Sequence, residues 1–383
     1  MINCSRIAFL VSLIALTIAC NESDQDSPPD AGPDARDQHD PDAQNFPDAD
    51  AHTDDSLERW PGQEIDEDPL GLDWDMPEAD DGLLFLFANV GNIDIYRCQN
   101  VGFNLCWTEQ EAIITEEIAK RDADVILLQE VLVPEQCDDL DPPPADDHVC
   151  HPDFEPPETE QVRRLVGPDY TIACDAARGY ECIAVRVGRA SIVGCDDGEL
   201  CRGLARTNEP VEGCDTGFTI SAVTIDVDDQ LLDVVNVHPP SDAAGASHGR
   251  QCRRDYFDSI FGEDAPLIEQ EKVVIGGDFN FDPLRQSSTY PDVEFWNQYV
   301  STSYHETHND PLLFAYHSGL PEHDPPYWTT PILSTTLDHV ISNALHGRCI
   351  TLGAHPGEAP LDHAQGRLAV RLDHLAMECL LSW

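Results

Sequence analysis

The stretch that decides the fold is K-V-V-I-G-G-D-F-N-F-D, residues 272–282. Its first four residues form a short β-branched run that predicts a buried strand. The two glycines that follow let the backbone bend tightly. Asp278 and Asn280 then stand two residues apart, which predicts that both side chains share one face at the end of the strand. A polar strand end that caps a turn is the alternative interpretation.

The net charge limits how the chain can meet a partner. The 383 residues carry a formal charge of −52, and residues 82–383 alone keep −33. Proteins that bind nucleic acid through a general basic field need the opposite sign, so that class is excluded. A phosphate-bearing substrate would be met by local arginines or a metal ion. The acid-rich, lysine-poor balance indicates a high-salt habitat, where repulsion between charges is screened.

The first twenty residues have the pattern of a secretory signal. Arg6 precedes an apolar run that is too short to span a bilayer, and L-T-I-A-C ends at Cys20. This ending resembles a bacterial lipobox, although Thr17 stands where a branched aliphatic residue is usual. We expect residues 1–19 to be a signal peptide and Cys20 to be lipidated, which anchors the chain to a membrane at the cell envelope or surface. A plain signal peptide and a secreted protein are the alternative.

The segment 20–81 is rich in Asp and Pro and repeats Pro-Asp-Ala. Such an apolar-poor, charged composition predicts a disordered acidic tether. We expect residues 82–383 to form one domain. Fourteen cysteines in an exported chain predict disulfides, although their connectivity cannot be deduced from sequence. The close neighbours are Cys98/Cys106, Cys137/Cys150 and Cys195/Cys201.

Hydrophobic runs predict more strands than helices. Residues 134–161 are rich in proline and acidic residues and indicate a surface insertion. Several strands are consecutive, which favours two packed sheets with outer helices, an α/β (α+β) class. The predicted strands are 83–90, 123–130, 169–174, 180–187, 217–227, 231–238, 272–275, 336–342 and 372–380, and the predicted helices are 109–121 and 249–261.

Polar residues recur where these runs meet loops, so their side chains are expected to converge on one edge of the core. Carboxylate and amide oxygens suit a hard divalent cation, and histidine suits a base that takes a proton from water. The combination indicates hydrolysis of a phosphate ester. The residues concerned are Asn89, Glu130, His238, Asp278, Asn280, Asp338, Asp373 and His374.

Six short motifs occur in an order that resembles the endonuclease/exonuclease/phosphatase superfamily, over roughly residues 83–380. The resemblance implies a four-layer α/β sandwich with two central, mostly antiparallel β-sheets flanked by helices. It also implies phosphoester cleavage that depends on Mg²⁺, or on Mn²⁺ or Ca²⁺. The motifs are N-V-G-N at 89–92, L-L-Q-E-V at 127–131, V-N-V-H at 235–238, G-D-F-N at 277–280, T-L-D-H-V at 336–340 and L-D-H-L at 372–375.

The resemblance also implies a role for each site residue. In the last motif Leu372 stands where the superfamily usually has serine, which leaves Asp373 and His374 intact. The implied metal residues are Glu130 with Asn89 beside it, and Asp373 on the metal side. The implied catalytic residues are His374 as the base, Asp338 as its orienting partner, Asp278 and Asn280 for water and phosphate, and His238 near the leaving group, oriented by Glu181.

The substrate stays open at this point. The expected activity is that of a metal-dependent phosphodiesterase, with nuclease-like action favoured over sphingomyelinase/phospholipase-C-like or inositol-phosphate phosphatase action. Apolar residues in 311–333 would suit a lipid substrate. Arg250, Arg253 and Arg254 would either clamp an anionic substrate or form a helix face carrying salt bridges. No obligate protein partner is evident.

Two other classes compete with this interpretation. Residues 245–249, G-A-S-H-G, match the G-x-S-x-G pattern of serine esterases through Ser247, but that elbow needs a strand directly before it. An inactive scaffold that serves as a surface binding module is the other alternative.

Overall fold

Strand β2, Val125–Gln129, is buried on both faces, which explains the layered fold. Val125 and Leu127 pack between two sheets, while Ile126 and Leu128 pack on the opposite face against helices. Successive side chains of a strand alternate in direction, so such a strand needs a layer on each side. This computed structural model describes residues 82–91, 104–138, 140, 144–154, 160–175, 181–208, 214, 220–239, 246–261, 267–280, 313–316, 337–352, 372 and 374–383.

Seven of the described strands form the first sheet. They are β1 Leu83–Asn89, β2, β3 Tyr170–Cys174, β4 Cys182–Arg186, β6 Leu200–Arg202, β13 His346–Thr351 and β14 Met377–Ser382. Their order is β13-β14-β1-β2-β4-β3-β6. The pairs β1/β2 and β3/β6 are parallel, and the other pairs are antiparallel.

The second sheet also has seven described strands. They are β5 Ser191–Ile192, β7 Arg206–Thr207, β8 Ile220–Val227, β9 Gln230–Val237, β10 Val273–Asp278, β11 Leu313–Tyr316 and β12 Asp338–Ser342. Their order is β11-β12-β10-β9-β8-β5, with β7 also paired to β8. Only β9 and β10 are paired in parallel among these described strands.

Helices cover the outer face of each sheet. The described helices are α1 Thr108–Arg121, α2 Pro134–Asp138, α3 Gln161–Val166 and α4 Ala246–Phe261. Apolar residues of α1 and α3 pack on the first sheet, and those of α4 pack on the second. The expected α/β sandwich is therefore confirmed. None of the helices in the described part combines the length and apolarity that a bilayer crossing needs.

Two adjacent glycines bring β10 close to the first sheet. A Cβ on Gly276 would overlap the Phe87 ring, which lies on β1. Gly277 has a φ of 129°, and a Cβ there would lie 2.5 Å from the Val237 carbonyl oxygen and 2.7 Å from Gln129 Nε2. Any side chain at these positions would push the two sheets apart beneath the residue that follows, Asp278.

Most predicted elements are present, but the bounds of the last strand need correction and several short elements were not predicted. The last strand is Met377–Ser382 rather than 372–380, since its hydrophobic run pairs with β1 only from Met377 onward. The elements that were not predicted are strands β5, β6, β7, β11 and β13 and helices α2 and α3. The polar sequence of β13, H-G-R-C-I-T, has no strand periodicity of its own, and it forms a strand by pairing with β14 at the edge of the sheet.

Disulfides join neighbouring strands and loops of the described part. The disulfides predicted from composition are present, and two sets of close neighbours, Cys137–Cys150 and Cys195–Cys201, are bonded. Cys106 is disulfide-bonded, while Cys98 lies outside the described residues. Residues 1–81, with the expected signal peptide, Cys20 and tether, also lie outside them. Three further disulfides are Cys174–Cys182, Cys214–Cys252 and Cys349–Cys379.

Candidate active site

The ends of four central strands bring the candidate residues together. The parallel neighbours β1 and β2 end at Asn89 and just before Glu130, and the parallel neighbours β9 and β10 end just before His238 and at Asp278. Because β1 packs directly against β10 through Phe87 and Gly276, the two pairs of strand ends face one another. Carboxylates, an amide and histidines from distant parts of the chain thus share one edge of the sandwich.

The Asp278 carboxylate is the meeting point of the site. Its Oδ2 lies 3.3 Å from Asn89 Nδ2 and 3.2 Å from Asn280 Nδ2. The same oxygen lies 3.4 Å from His374 Nε2 and 3.7 Å from His238 Nε2. Asp278 Oδ1 accepts a hydrogen bond of 2.7 Å from the Asn280 backbone N–H. The carboxylate is therefore held in one orientation by both sheets.

His374 and Asp338 form the closest acid–histidine pair of the described site. His374 Nδ1 lies 2.7 Å from Asp338 Oδ2, and both side chains are buried. A carboxylate at this distance fixes the proton on Nδ1 and leaves Nε2 as the basic nitrogen. Nε2 faces Asp278, so His374 is oriented to exchange a proton at the centre of the site.

Asn89 joins the metal side of the site to Asp278. Its Nδ2 also donates to Glu130 Oε1 at 3.2 Å, while its Oδ1 accepts from the Gly91 N–H at 2.8 Å. The Gly91 bond fixes which end of the amide carries oxygen. A Cβ on Gly91 would overlap the Glu130 carboxylate, so glycine is needed at that position.

The Asn280 side chain holds the end of β10 in place through local hydrogen bonds. Its φ is 55°, in the left-handed region, and its Nδ2 donates to the Pro239 carbonyl at 2.8 Å. Asparagine tolerates this backbone conformation better than most residues because its side chain bonds locally. Asn280 therefore ties the loop after β9, which carries His238, to Asp278.

Three carboxylates surround His238. Its Nε2 lies 3.3 Å from Glu130 Oε1, and its Nδ1 lies 3.4 Å from Glu181 Oε1. Burial acts to lower the pKa of His238, but the bond to Glu181 and the charges of Glu130 and Asp278 outweigh it and raise the pKa to about 9. Imidazolium is therefore the form of His238 at neutral pH when these carboxylates have no other cation beside them.

Burial raises the pKa of Asp278, and the neighbouring Asp338 carboxylate adds to that effect. His374 and His238 act in the opposite direction. Since the folded environment disfavours an isolated negative charge here, a positively charged partner is needed to keep Asp278 ionised.

The donor set fits a hard divalent cation. Ligand atoms of Asp278, Asp338 and His374 all lie within 4.8 Å of one another. Glu130 lies beside them through Asn89 and His238. Carboxylate oxygens are preferred by Mg²⁺ and related ions, and the convergence of carboxylates on His238 shows an excess of negative charge that a cation would balance.

Several expected site residues lie elsewhere or are not described. Asp373 lies outside the described residues. Arg250 and Arg254 lie on α4, and Arg254 is partly buried. Arg253 has an exposed fraction of 0%, which does not fit a clamp for substrate. Ser247 lies in the first turn of α4, and among the described residues the preceding strand, β9, ends at Val237, so they show no strand directly before Ser247.

Two buried amides beneath the site were not expected. Gln129 Nε2 donates to Asn236 Oδ1, and Asn236 Nδ2 donates to the carbonyls of Leu128 and Cys182 at 2.9 and 3.1 Å. These bonds join the two sheets directly below Glu130 and His238. Polar residues inside otherwise hydrophobic runs, L-L-Q-E and V-V-N-V-H, were the available signal.

The fold and the site together define a class of protein. The sequence profile of the endonuclease/exonuclease/phosphatase family matches residues 98–363, more than half of the chain. The chain belongs to this family, whose members are typically hydrolases of phosphoester bonds that use divalent metals. No curated protein matches the chain in sequence.

The chain is also similar to several solved structures at low identity. Humanized D. rerio TDP2 is 13% identical, with a TM-score of 0.46, over 79% of this chain and 99% of that one. The human Nocturnin catalytic domain is 15% identical, with a TM-score of 0.47, over 80% and 96%. A beta toxin mutant of Staphylococcus aureus, solved with bound magnesium ions, is 14% identical, with a TM-score of 0.46, over 79% and 100%. These similarities do not identify a substrate for this chain.

Proposed function

We propose that the chain is a divalent-metal-dependent phosphodiesterase. The observation that carries this proposal is the continuous set of contacts from Asp338 through His374 to Asp278, and from Asp278 through Asn89 to Glu130. A base with an orienting carboxylate thus stands beside a group of oxygen ligands. Both parts are needed to hydrolyse a phosphate ester in water.

Each residue then has a defined task. Glu130 and neighbouring carboxylates would hold a Mg²⁺ or Mn²⁺ ion, which when bound would supply Lewis-acid polarisation of the phosphoryl oxygen. His374 Nε2 takes a proton from the attacking water, and Asp338 stabilises the imidazolium that results. Asp278 Oδ2 lies 3.4 Å from Nε2, so a water at this position can be oriented by both groups. Asn280 and Asn89 keep Asp278 in place.

A second histidine approaches the same carboxylate and is placed to act as a general acid. His238 lies 3.7 Å from Asp278 Oδ2, and Glu181 holds its other nitrogen. When protonated, His238 is suited to donate to the oxygen of the leaving alcohol. Nuclease-like action is the form of this chemistry that we propose. A panel of plasmid DNA, sphingomyelin and inositol phosphates, assayed with Mg²⁺ at low and high salt, separates the candidate substrates.

The direct test uses bis-p-nitrophenyl phosphate and the purified chain. We expect EDTA to abolish hydrolysis, Mg²⁺ or Mn²⁺ to restore it, and His374→Ala to lower kcat by about 10²–10⁴-fold. His151→Ala is the matched control, since His151 lies at the insertion surface beside Asp146. Full activity of His374→Ala, or labelling by a fluorophosphonate with indifference to EDTA, would refute the proposal.

We also propose that the chain is exported and anchored through a lipid on Cys20. The five disulfides of the described part support an oxidising compartment, because such bonds persist there. Metabolic labelling with a fatty-acid analogue should mark the parent chain and not Cys20→Ala. Labelling of neither chain, with the protein found in the medium, would point to a plain secretory signal.

A further inference from the structure

The backbone at Glu130 has an unusual conformation. Its φ is 57°, in the left-handed region that residues with a Cβ seldom adopt. The residue also directs its carboxylate to Asn89 and His238. A strained conformation of this kind persists only when its surroundings hold it in place.

Three side-chain amides hold the segment that begins at Glu130. Asn104 Nδ2 donates to the Glu130 carbonyl at 2.8 Å. Gln161 Oε1 accepts from the Leu132 N–H at 2.8 Å, and Gln136 Oε1 accepts from the Val133 N–H at 3.0 Å. Since β2 ends at Gln129, these bonds replace the strand ladder as the support of the segment.

Asn104 and Gln136 act as a pair. Gln136 Nε2 donates to Asn104 Oδ1 at 2.8 Å, so the orientation of one amide sets that of the other. Asn104 has an exposed fraction of only 7%, so water cannot readily replace its protein partners. The support of the Glu130 carbonyl therefore extends outward to Gln136.

Gln136 belongs to the proline-rich insertion. It lies on α2 directly before Cys137, which is joined to Cys150. Leu132 and Val149 pack together with these cysteines in a small apolar cluster. The insertion thus has its own disulfide and packs in an apolar cluster with Leu132. It is linked to the Glu130 carbonyl through Gln136 and Asn104.

We propose that Asn104 and Gln136 are positioning residues for the cation site, through which the insertion fixes the backbone of Glu130. This inference rests on the proposed function, in which Glu130 binds the cation. Without the Asn104 bond, the Glu130 backbone relaxes from its left-handed conformation and the carboxylate moves away from Asn89. The predicted result is weaker cation binding with the catalytic pair Asp338–His374 left intact.

The test measures binding of Mn²⁺ to the full chain by electron paramagnetic resonance of the free ion. Asn104→Leu and Gln136→Leu should each raise the Kd for Mn²⁺ by about tenfold or more, as loss of a group that orients a ligand typically does. At saturating Mn²⁺, kcat should return towards that of the parent. Gln136 is only half-buried, so its replacement tests the inference even if Asn104→Leu fails to fold.

Asn343→Leu is the matched control. Asn343 Oδ1 accepts from the Val273 N–H at 2.9 Å and Nδ2 donates to the Glu271 carbonyl at 2.8 Å, so it is an amide that braces backbone away from the site. This variant should lose thermal stability and keep the parent Kd. An unchanged Kd in both Asn104→Leu and Gln136→Leu would overturn the inference.

Glu130→Gln separates the two claims. If Glu130→Gln loses Mn²⁺ binding while the two amide variants bind like the parent, the inference is wrong and the proposed function stands. If Glu130→Gln also binds like the parent, the proposed function itself is wrong.

Discussion

At the residue scale, one carboxylate serves both halves of the site. Asp278 contacts the base His374 on one side and the Asn89 amide, which also holds Glu130, on the other. A small change in either half therefore alters the geometry of the other. Asp338 supports the half of the site that holds the base, because its carboxylate lies 2.7 Å from His374 Nδ1.

Asp338→Asn should separate orientation of the base from cation binding. A neutral amide does not stabilise the charge of the imidazolium as a carboxylate does, so we expect kcat to fall by about 10²–10⁴-fold. The Kd for Mn²⁺ should change far less. Steady-state kinetics with bis-p-nitrophenyl phosphate measure the first effect, with Asp153→Asn on the insertion surface as the control. A kcat equal to that of the parent would contradict the assigned role.

The raised pKa of His238 predicts a pH-dependent stability in EDTA. The folded pKa is about 9 and the ordinary value is 6.5, so protonated His238 stabilises the folded chain. That contribution is complete below the ordinary pKa and is lost as pH rises through about 9. Thermal unfolding from roughly pH 6 to pH 10 should show a loss of Tm in the parent that His238→Gln lacks. Parallel curves for the two chains would contradict the ion-pair geometry.

The sequence identified which polar residues meet at the site but not how they are bonded. Asn89, Glu130 and Asp278 lie at the ends of hydrophobic runs and His374 lies near the start of one, and these positions were visible in the pattern. The contacts of Asp278 Oδ2 with both Asn89 and His374 were not visible in the sequence, because they depend on the close approach of the two sheets. Gly91 stood within a recognised motif, yet its need to leave room for the Glu130 carboxylate required coordinates.

At the element scale, the buried carboxylate of Asp124, directly before β2, links strands β1 and β4 of the first sheet. Asp124 Oδ2 accepts from the Leu84 N–H at 2.9 Å, and Oδ1 lies 2.5 Å from Arg186 and 3.0 Å from Arg189. Burial acts to raise the pKa of Asp124, but the backbone bond and the two arginines outweigh it and lower the pKa. This group holds the start of β1 beside β2 and β4.

Asp124→Asn should therefore destabilise the fold. The loss should be about 1.5–3 kcal/mol at neutral pH, the usual value of hydrogen bonds to a charged group. Because the folded pKa is lowered, the contribution is present above the ordinary value of 3.8 and is lost as pH falls through the folded pKa. Urea unfolding at neutral and acidic pH measures both effects, with exposed Asp153→Asn as the control. Equal losses at both pH values would contradict the charge-based account.

The elements themselves were largely predictable because their hydrophobic patterns are strong. Both faces of β2 are apolar, and this pattern alone indicates a strand between two layers. Strand β13 could not be predicted in this way, because its polar sequence forms a strand only by pairing with β14. The start of β14 was misplaced because an apolar run does not show where pairing begins.

At the scale of the whole molecule, repulsion between acidic side chains opposes folding. Residues 82–383, the expected domain, carry a formal charge of −33. Salt shortens the Debye length from about 10 Å at 0.1 M to about 3 Å at 1 M. We expect Tm to rise with NaCl across this range, as followed by circular dichroism.

The same salt series near pH 4 is the control for this effect. Carboxylates are partly protonated there, since their ordinary pKa values are about 4, so the gain in Tm should shrink. A Tm that falls with NaCl at neutral pH would show that specific ion pairs outweigh the general repulsion.

The most direct measurement of the central claim is anomalous diffraction from crystals of the chain grown with Mn²⁺. We predict a peak in bonding distance of a Glu130 carboxylate oxygen, about 2.0–2.3 Å, beside Asn89 and Asp278. Crystals of Glu130→Gln grown in the same way should lose that peak. A Mn²⁺ ion bound elsewhere, with none at Glu130 in a chain that still hydrolyses bis-p-nitrophenyl phosphate, would contradict the proposed site.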